Sequence, residues 1–331
     1  MGATHHTHPK VLPKAALGGR GGQTAPQEGQ DPRVSLPLAK STFSVQPLAP
    51  GGWVLPGQGE AYPNCGDTLV FGCPNGCVHL NDRLDGVACV GKIKVDMKYR
   101  TCLRASCPVC YEKWAGKEAH KIEYRLSQWR GSGRVIHLMV SVPERLYYLA
   151  MEDLRPLAYR VAREIGFFGG SCIPHPFRQK CVFCGSPKDT MTDRCLACGC
   201  SEFAWVFSPH FHFLGFGWIL GEKVKAVYEA SGWVSKNLGL RDSVVGTAHY
   251  QLTHAGIHPD RHTVTWFGAL AYNKLRVAPE VVEKKRCPLC GEELVRLHWV
   301  GEGDLPVPDE EGEYFVDPEG WIPGYSWGGQ G

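Results

Sequence analysis

Fifteen cysteines in 331 residues constrain the fold of this chain more than any other feature. Their number is odd, and several form Cys-x-x-Cys pairs. The first residues, MGATHHTHPK, lack the apolar core of a secretory signal, which predicts a cytoplasmic protein. In a reducing compartment such pairs are typical of metal binding rather than of disulfide bonds. We therefore expect structural zinc sites.

The strongest of these patterns lies between residues 181 and 198. Cys181 and Cys184 are followed by Cys195 and Cys198 after a ten-residue gap. This is the spacing of a zinc ribbon, in which two tight turns each offer two thiolates to a tetrahedral ion. A glycine follows each pair, as expected where the turn needs a positive φ angle.

Two further cysteine groups are incomplete in the sequence. The first contains Cys102, Cys107 and Cys110. Its fourth ligand is left open among four upstream cysteines, which are Cys65, Cys73, Cys77 and Cys89. The second, Cys287 and Cys290, is half of a site, and the Cys65/Cys73/Cys77 group is a candidate for the other half.

Composition indicates a globular protein with uneven charge. Hydrophobic residues make up 43% of the chain and charged residues 21%. No apolar run reaches the roughly 18 residues that span a bilayer, so no membrane partner is expected. Between Lys92 and Arg134 there are eleven Lys and Arg against four Asp and Glu. A basic stretch beside zinc-type cysteines indicates nucleic-acid binding, although from charge alone a solvated helix face explains it equally well.

Hydrophobic periodicity predicts an α+β fold built on an antiparallel sheet. Helical spacing covers residues 111–130, 151–165 and 223–237, and strand-like apolar runs cover residues 135–143 and 204–219. We divide the chain into the following segments: a disordered tail (1–60), a cysteine-rich zinc module with a basic helix (61–134), a palm domain (135–280) with a zinc-ribbon insertion (178–201), a Cys-x-x-Cys segment (281–300) and an acidic flexible tail (301–331).

Two histidines on the apolar strand region 204–219 form a candidate metal site. His210 and His212 are separated by one residue, and alternate residues of a strand point to the same face. The two imidazoles therefore lie side by side, while Phe211 and Phe213 enter the core. Such a pair is half of a divalent-metal site.

The motifs HFHFLGF, CLRASCPVCYEKWAGK and VIHLMVSVP together resemble the HUH endonucleases, the superfamily of rolling-circle replication initiators and relaxases. They occur in that family's order over roughly residues 100–275. The resemblance implies a ferredoxin-like or RRM-like antiparallel palm. It also implies a catalytic Mn²⁺ or Mg²⁺ on His210 and His212, and Zn²⁺ remains structural at the cysteines. A third ligand of the catalytic metal cannot be placed from the sequence.

The family also requires a tyrosine nucleophile after the histidine strand, and two tyrosines qualify. Tyr250 has His254 four residues later, on the same face of a predicted helix. Tyr272 follows the strand-like TVTWF and has Lys274 two residues later. We favour Tyr250. His254 or Lys274 is expected to stabilise the phenolate or an oxyanion.

The resemblance implies a DNA-nicking and strand-transfer enzyme that initiates rolling-circle replication through a 5′-phosphotyrosyl intermediate. Its expected partners are single-stranded or supercoiled origin DNA and the host replication machinery. Two alternatives stay open. One is a transposase or relaxase of the same superfamily, and the other is a non-enzymatic, zinc-dependent nucleic-acid-binding protein.

Overall fold

The computed structural model describes residues 49–73, 83–84, 87–88, 92–189, 192–281, 283–288 and 290–324. All of them belong to one compact unit, Val45–Gly331. No helix in these ranges combines the length and apolarity needed to cross a membrane. The predicted tail of residues 1–60 lies outside them up to residue 48.

The elements follow one another in this order: β1 (Thr68–Gly72), β2 (Arg83–Leu84), β3 (Val87–Ala88), β4 (Ile93–Tyr99), α1 (Tyr111–Ser127), β5 (Ile136–Ser141), a 3₁₀ turn (Glu144–Leu146), α2 (Met151–Glu164), β6 (Phe167–Cys181), β7 (Phe203–Gly217), α3 (Gly221–Ser231), β8 (Val234–Leu240), α4 (Val244–Leu252), β9 (Thr265–Gly268), β10 (Val295–Trp299), β11 (Gly312–Val316) and β12 (Trp321–Pro323). The fold is therefore α+β, as predicted.

The first five-stranded sheet has the order β8-β5-β7-β6-β9, and every neighbouring pair is antiparallel. Helices pack on both of its faces. Phe211 and Phe213 of β7 join α2 in one buried cluster, and Leu214 and Phe216 join α1 and α4 in another. The two-residue period of β7 therefore places the histidines on the α1/α4 face, because they alternate with the two phenylalanines.

Strand β6 was not predicted, although it is as long as β7. Its sequence, FFGGSCIPHPFRQKC, contains two glycines and two prolines, which weaken a strand pattern. The structure accommodates them with a register shift between His175 and Phe177. Gly170 is required by close approach, because a Cβ there would clash with the carbonyl oxygen of Leu214.

The predicted helix over residues 223–237 is two elements. Helix α3 ends at Ser231, where Gly232 adopts a φ of 71° in the left-handed region, and β8 begins at Val234. Gly232 is the kind of residue that ends helices in this way. Residues 244–246, VVG, form the first turn of α4, which is capped by the Ser243 hydroxyl, the acceptor of a hydrogen bond from Gly246 N.

A second antiparallel sheet, in the order β11-β4-β1-β10-β12, joins the beginning and the end of the described chain. The sequence predicts a flexible acidic tail from residue 301, but Gly312–Val316 pairs with β4 and Trp321–Pro323 pairs with β10. The apolar side chains of these short strands, Val316 and Trp321, complete a small core. That burial explains why acidic residues on the same segment do not prevent order.

Trp53 shows a similar difference near the beginning of the described residues. The sequence predicts disorder up to residue 60, but Trp53 is fully buried in the core that includes α2. Its indole nitrogen donates a hydrogen bond to Glu152, and Val54 forms a β-bridge with Ile257. The contacts of Trp53 and Val54 therefore order this part of the predicted tail.

Trp321→Ala is expected to lower the free energy of unfolding by about 3 kcal/mol, because it empties a buried site in the second sheet. Trp321 is 8% exposed, whereas Trp218 is 74% exposed. Trp218→Ala is therefore the matched control, with an expected change within about 0.5 kcal/mol. Urea denaturation measures both. Equal stability of the two variants would show that the C-terminal segment is not packed.

Candidate metal centre

The predicted zinc ribbon forms at the end of the β6–β7 hairpin. The Sγ atoms of Cys181 and Cys198 are 3.5 Å apart, and those of Cys184 and Cys195 are 3.4 Å apart. The glycine after each pair has a positive φ, 72° at Gly185. Ligands of one tetrahedral zinc, with Zn–S bonds of about 2.3 Å, lie about 3.8 Å apart. The four thiols therefore fit a single structural ion.

The structure supplies the fourth ligand of one incomplete set and a third ligand of the other. Cys65 is the cysteine that joins Cys102, Cys107 and Cys110. Cys73 joins Cys287 and Cys290, with 3.8 Å between the Sγ atoms of Cys73 and Cys290. Cys77 and Cys89 lie outside the described residues.

Local hydrogen bonds favour the thiolate form at one of the ribbon cysteines, Cys184. Hydrogen bonds from Ser186 lower the pKa of Cys184 to about 6. The thiolate is the form that binds metal, and tetrathiolate sites are typical of structural zinc. The clusters can therefore hold a structural metal such as zinc.

A fourth cluster contains only histidines. His210 and His212 lie on β7, and His175 lies directly opposite His210 on β6. One ring nitrogen from each histidine lies within 4.8 Å of the others. The three side chains are 0%, 5% and 8% exposed for His175, His210 and His212, respectively. Strand pairing thus adds a third imidazole to the predicted half-site.

His175 is the residue that sequence reasoning missed, and its environment fits a metal. Neither of its ring nitrogens has a hydrogen-bond partner, although both are buried. An unpaired buried polar group costs about 1–3 kcal/mol, so a metal bond at His175 would relieve a real penalty. The signal in the sequence is the histidine in CIPHPF, which is obscured by the two prolines beside it.

Hydrogen bonds orient the other two ligands. His210 Nδ1 donates to the carbonyl oxygen of Ser208 over 2.9 Å, which leaves Nε2 for a metal. Arg178 Nε, an obligate donor, is 3.2 Å from the same Nδ1, so the tautomer that donates to Ser208 excludes a hydrogen bond from Arg178. His212 Nδ1 lies 2.7 Å from His137 Nε2, a contact that fixes its ring.

Burial keeps these imidazoles neutral. It lowers the pKa of His175, His210 and His212 well below the usual 6.5, and nearby histidines lower the pKa of His175 and His212 further. A histidine must be neutral to bind a metal. The arrangement is therefore three adjacent neutral nitrogen donors on a rigid sheet.

His254 connects Tyr250 to this cluster by ring contacts on both sides. The rings of Tyr250 and His254 are 4.6 Å apart between centroids, and those of His254 and His175 are 4.8 Å apart. Tyr250 is on α4 and is 52% exposed, so its ring is open to a substrate. Burial lowers the pKa of His254 to about 4, so it is a neutral imidazole rather than a cation at neutral pH.

Tyr272 lies elsewhere. It occupies a turn after β9, where its ring contacts the Arg125 guanidinium at 4.8 Å. Lys274 is exposed in the same turn, and its backbone N–H donates to Ala271 O. No described ring contact connects Tyr272 with the histidine cluster.

Comparison of the chain with models of protein families, with curated proteins and with solved structures finds no match. The geometry of the residues therefore carries the functional argument.

His175→Ala is expected to weaken Mn²⁺ binding at least tenfold, because it removes one of three neutral donors from the cluster. The exposed His298→Ala is the matched control and should bind Mn²⁺ like the unmodified protein. Titration calorimetry measures both. An unchanged Mn²⁺ affinity in His175→Ala would contradict the three-histidine site.

EDTA should remove the histidine-bound ion first and thiolate-bound zinc only later, together with unfolding.

Acid should destabilise the protein before the buried imidazoles take up protons. Unfolded histidines protonate near pH 6.5, whereas folded His254 resists protonation down to about 4. The unfolding free energy should therefore fall as the pH falls through this window. Urea midpoints at pH 7.5 and 5.0 should differ less for His254→Gln than for the unmodified protein. An equal difference would show that His254 is not buried as a neutral ring.

Proposed function

We propose that this protein is a metal-dependent DNA-nicking and strand-transfer enzyme of the HUH type, which initiates rolling-circle replication. One observation supports the proposal most strongly. Three buried histidines form a metal-ready cluster, and an exposed tyrosine contacts that cluster through a single intervening ring. A metal site next to a free phenol is what tyrosine-mediated cleavage of a phosphodiester requires.

Tyr250 is the proposed nucleophile. Its phenolic oxygen forms a bond to the scissile phosphorus, and the bond from phosphorus to the 3′ oxygen breaks. The phenol loses its proton and the leaving 3′ oxygen gains one, so the products are a 5′-phosphotyrosyl enzyme and a free 3′-OH. His254 packs edge to face against the Tyr250 ring at an interplanar angle of 69°, which holds the ring against the cluster. It acts in this proposal as a neutral positioning residue.

His175, His210 and His212 would hold the catalytic ion. A bound divalent ion supplies a Lewis acid at the scissile phosphate, where it offsets charge in the transition state. Nitrogen donors favour Mn²⁺ over Mg²⁺, because Mg²⁺ prefers oxygen ligands. The two four-cysteine clusters are closed sets of sulfur donors, and all three cysteine clusters serve as scaffolding in this proposal.

The proposed substrate is single-stranded or supercoiled origin DNA, and host replication proteins would extend the 3′-OH. Helix α1, which carries four Lys and Arg, packs against α4, the helix that carries Tyr250. These charges are suited to phosphate contacts.

Tyr250→Phe is expected to abolish covalent DNA–protein adducts while DNA binding persists, because only the nucleophilic oxygen is lost. The assay incubates the protein with a labelled single-stranded origin fragment and Mn²⁺, then resolves adducts on denaturing gels. Tyr228→Phe, on α3 across the sheet, is the matched control.

Tyr272→Phe tests the competing nucleophile in the same assay, and it should still form adducts. Loss of adducts in Tyr272→Phe alone would exchange the two roles. Adducts in both variants would refute tyrosine chemistry at these sites. If the unmodified protein binds DNA but never cleaves it with Mn²⁺, the non-enzymatic alternative is correct.

A further inference from the structure

A cleft of about 1240 Å³ opens beside helix α1, away from the three-histidine cluster's own residues. One wall is the α1 face from Trp114 to Arg125. Much of the remaining lining comes from residues 257–266 and from the turn that contains Tyr272. None of His175, His210, His212 or Tyr250 lines it, so the cleft is a surface distinct from the metal cluster.

The cleft wall is basic. Four cations besides Arg125 line it, and two acids oppose them: Arg104, Lys117, Lys121 and Arg261 against Glu118 and Glu280. Lys121 forms an ion pair with Glu118. Lys117 on α1 and Arg261 on the 257–266 segment are both exposed. A bound polyanion would therefore meet positive charge from both segments.

Aromatic rings lie among these cations. The Arg125 guanidinium is 5.0 Å from the Trp266 ring and 4.8 Å from the Tyr272 ring. Arg125 is held there by hydrogen bonds from its side chain to the carbonyl oxygens of Leu270 and Leu275. Tyr272 is 64% exposed, so much of its ring is uncovered. Exposed rings between cations are what unpaired bases stack on.

The cleft is close to the proposed reaction centre. Trp266 is paired with Ser171 on β6, and His175 lies four residues further along that strand. At about 3.3 Å per residue this separation is about 13 Å, the length of a few extended nucleotides. In addition, His254 contacts His175. The chain continues from His254 to Ile257, where it begins to line the cleft.

We propose that this cleft binds the single-stranded DNA that flanks the scissile phosphate, with Tyr272 stacking on an unpaired base and Lys117 and Arg261 contacting phosphates. The inference rests on the proposed function for the identity of the substrate. It gives Tyr272 a binding role in place of the nucleophilic role that its sequence context suggested.

Tyr272→Ala should weaken binding of a fluorescein-labelled 20-nucleotide oligothymidylate about tenfold, which is within the range for loss of one stacked base. Fluorescence anisotropy measures the affinity of the full chain without added divalent metal. Tyr272→Phe should keep most of the affinity, because the ring remains. Tyr228→Ala, an exposed tyrosine on the opposite face of the sheet, is the control and should bind normally.

Lys117→Ala should reduce the slope of log affinity against log salt by about 0.7, the value for one lost contact to a single strand. Lys225→Ala, on α3, should leave the slope unchanged. A normal affinity in Tyr272→Ala would overturn the proposal. An equal loss for the oligothymidylate and for duplex DNA would also overturn it, because paired bases cannot stack on the ring.

These measurements separate the cleft from the reaction. Binding is measured without cleavage, so absent adduct formation would refute the proposed function and leave the binding result to decide the cleft. Conversely, normal oligothymidylate binding by Tyr272→Ala would refute the cleft while adducts at Tyr250 still formed.

Discussion

Strands β6 and β7 pair at thirteen positions, from Phe167 opposite Gly217 to Cys181 opposite Phe203. The candidate site depends on this pairing at both ends. In the middle, it places His175 opposite His210, so that ligands distant in sequence meet on one face. At the far end, it places Cys181 next to the other three cysteines of the predicted zinc ribbon. A tetrathiolate zinc there would prevent the hairpin from fraying, and so would hold the histidine register in place.

Burial of the three imidazoles costs free energy, which packing elsewhere in the sheet must offset. Three histidines occupy buried positions, and His175 has no hydrogen-bond partner for either nitrogen. The aromatic and aliphatic packing on the opposite face of β7, around Phe211 and Phe213, compensates for that cost. The surrounding packing also holds the three histidines in one geometry, so the cluster persists inside the core.

Much of this arrangement was accessible from the sequence, and the gaps have physical causes. Cysteine spacing identified the ribbon, because local turns alone bring four ligands within eighteen residues together. Strand alternation placed His210 and His212 on one face. His175 was missed because its partners come from strand pairing, which a sequence pattern does not specify, and because prolines obscure β6. Cys65 and Cys73 could not be assigned for the same reason, since tertiary structure selects among equivalent thiols.

The Cys73–Cys287–Cys290 cluster has a consequence for the order in which the protein is made. Strand β1 pairs with β10 and with β4, and β10 leaves the ribosome more than two hundred residues after β1. Domains generally fold as units during synthesis, beginning with the parts completed first. The histidine-bearing sheet is complete once β9 has emerged, whereas β1 and β4, which pair with each other, gain their outer partners β10 and β11 only later. A metal held by Cys73, Cys287 and Cys290 therefore requires that synthesis has passed Cys290: a chain that stops before β10 carries the complete histidine-bearing sheet but an incomplete second sheet.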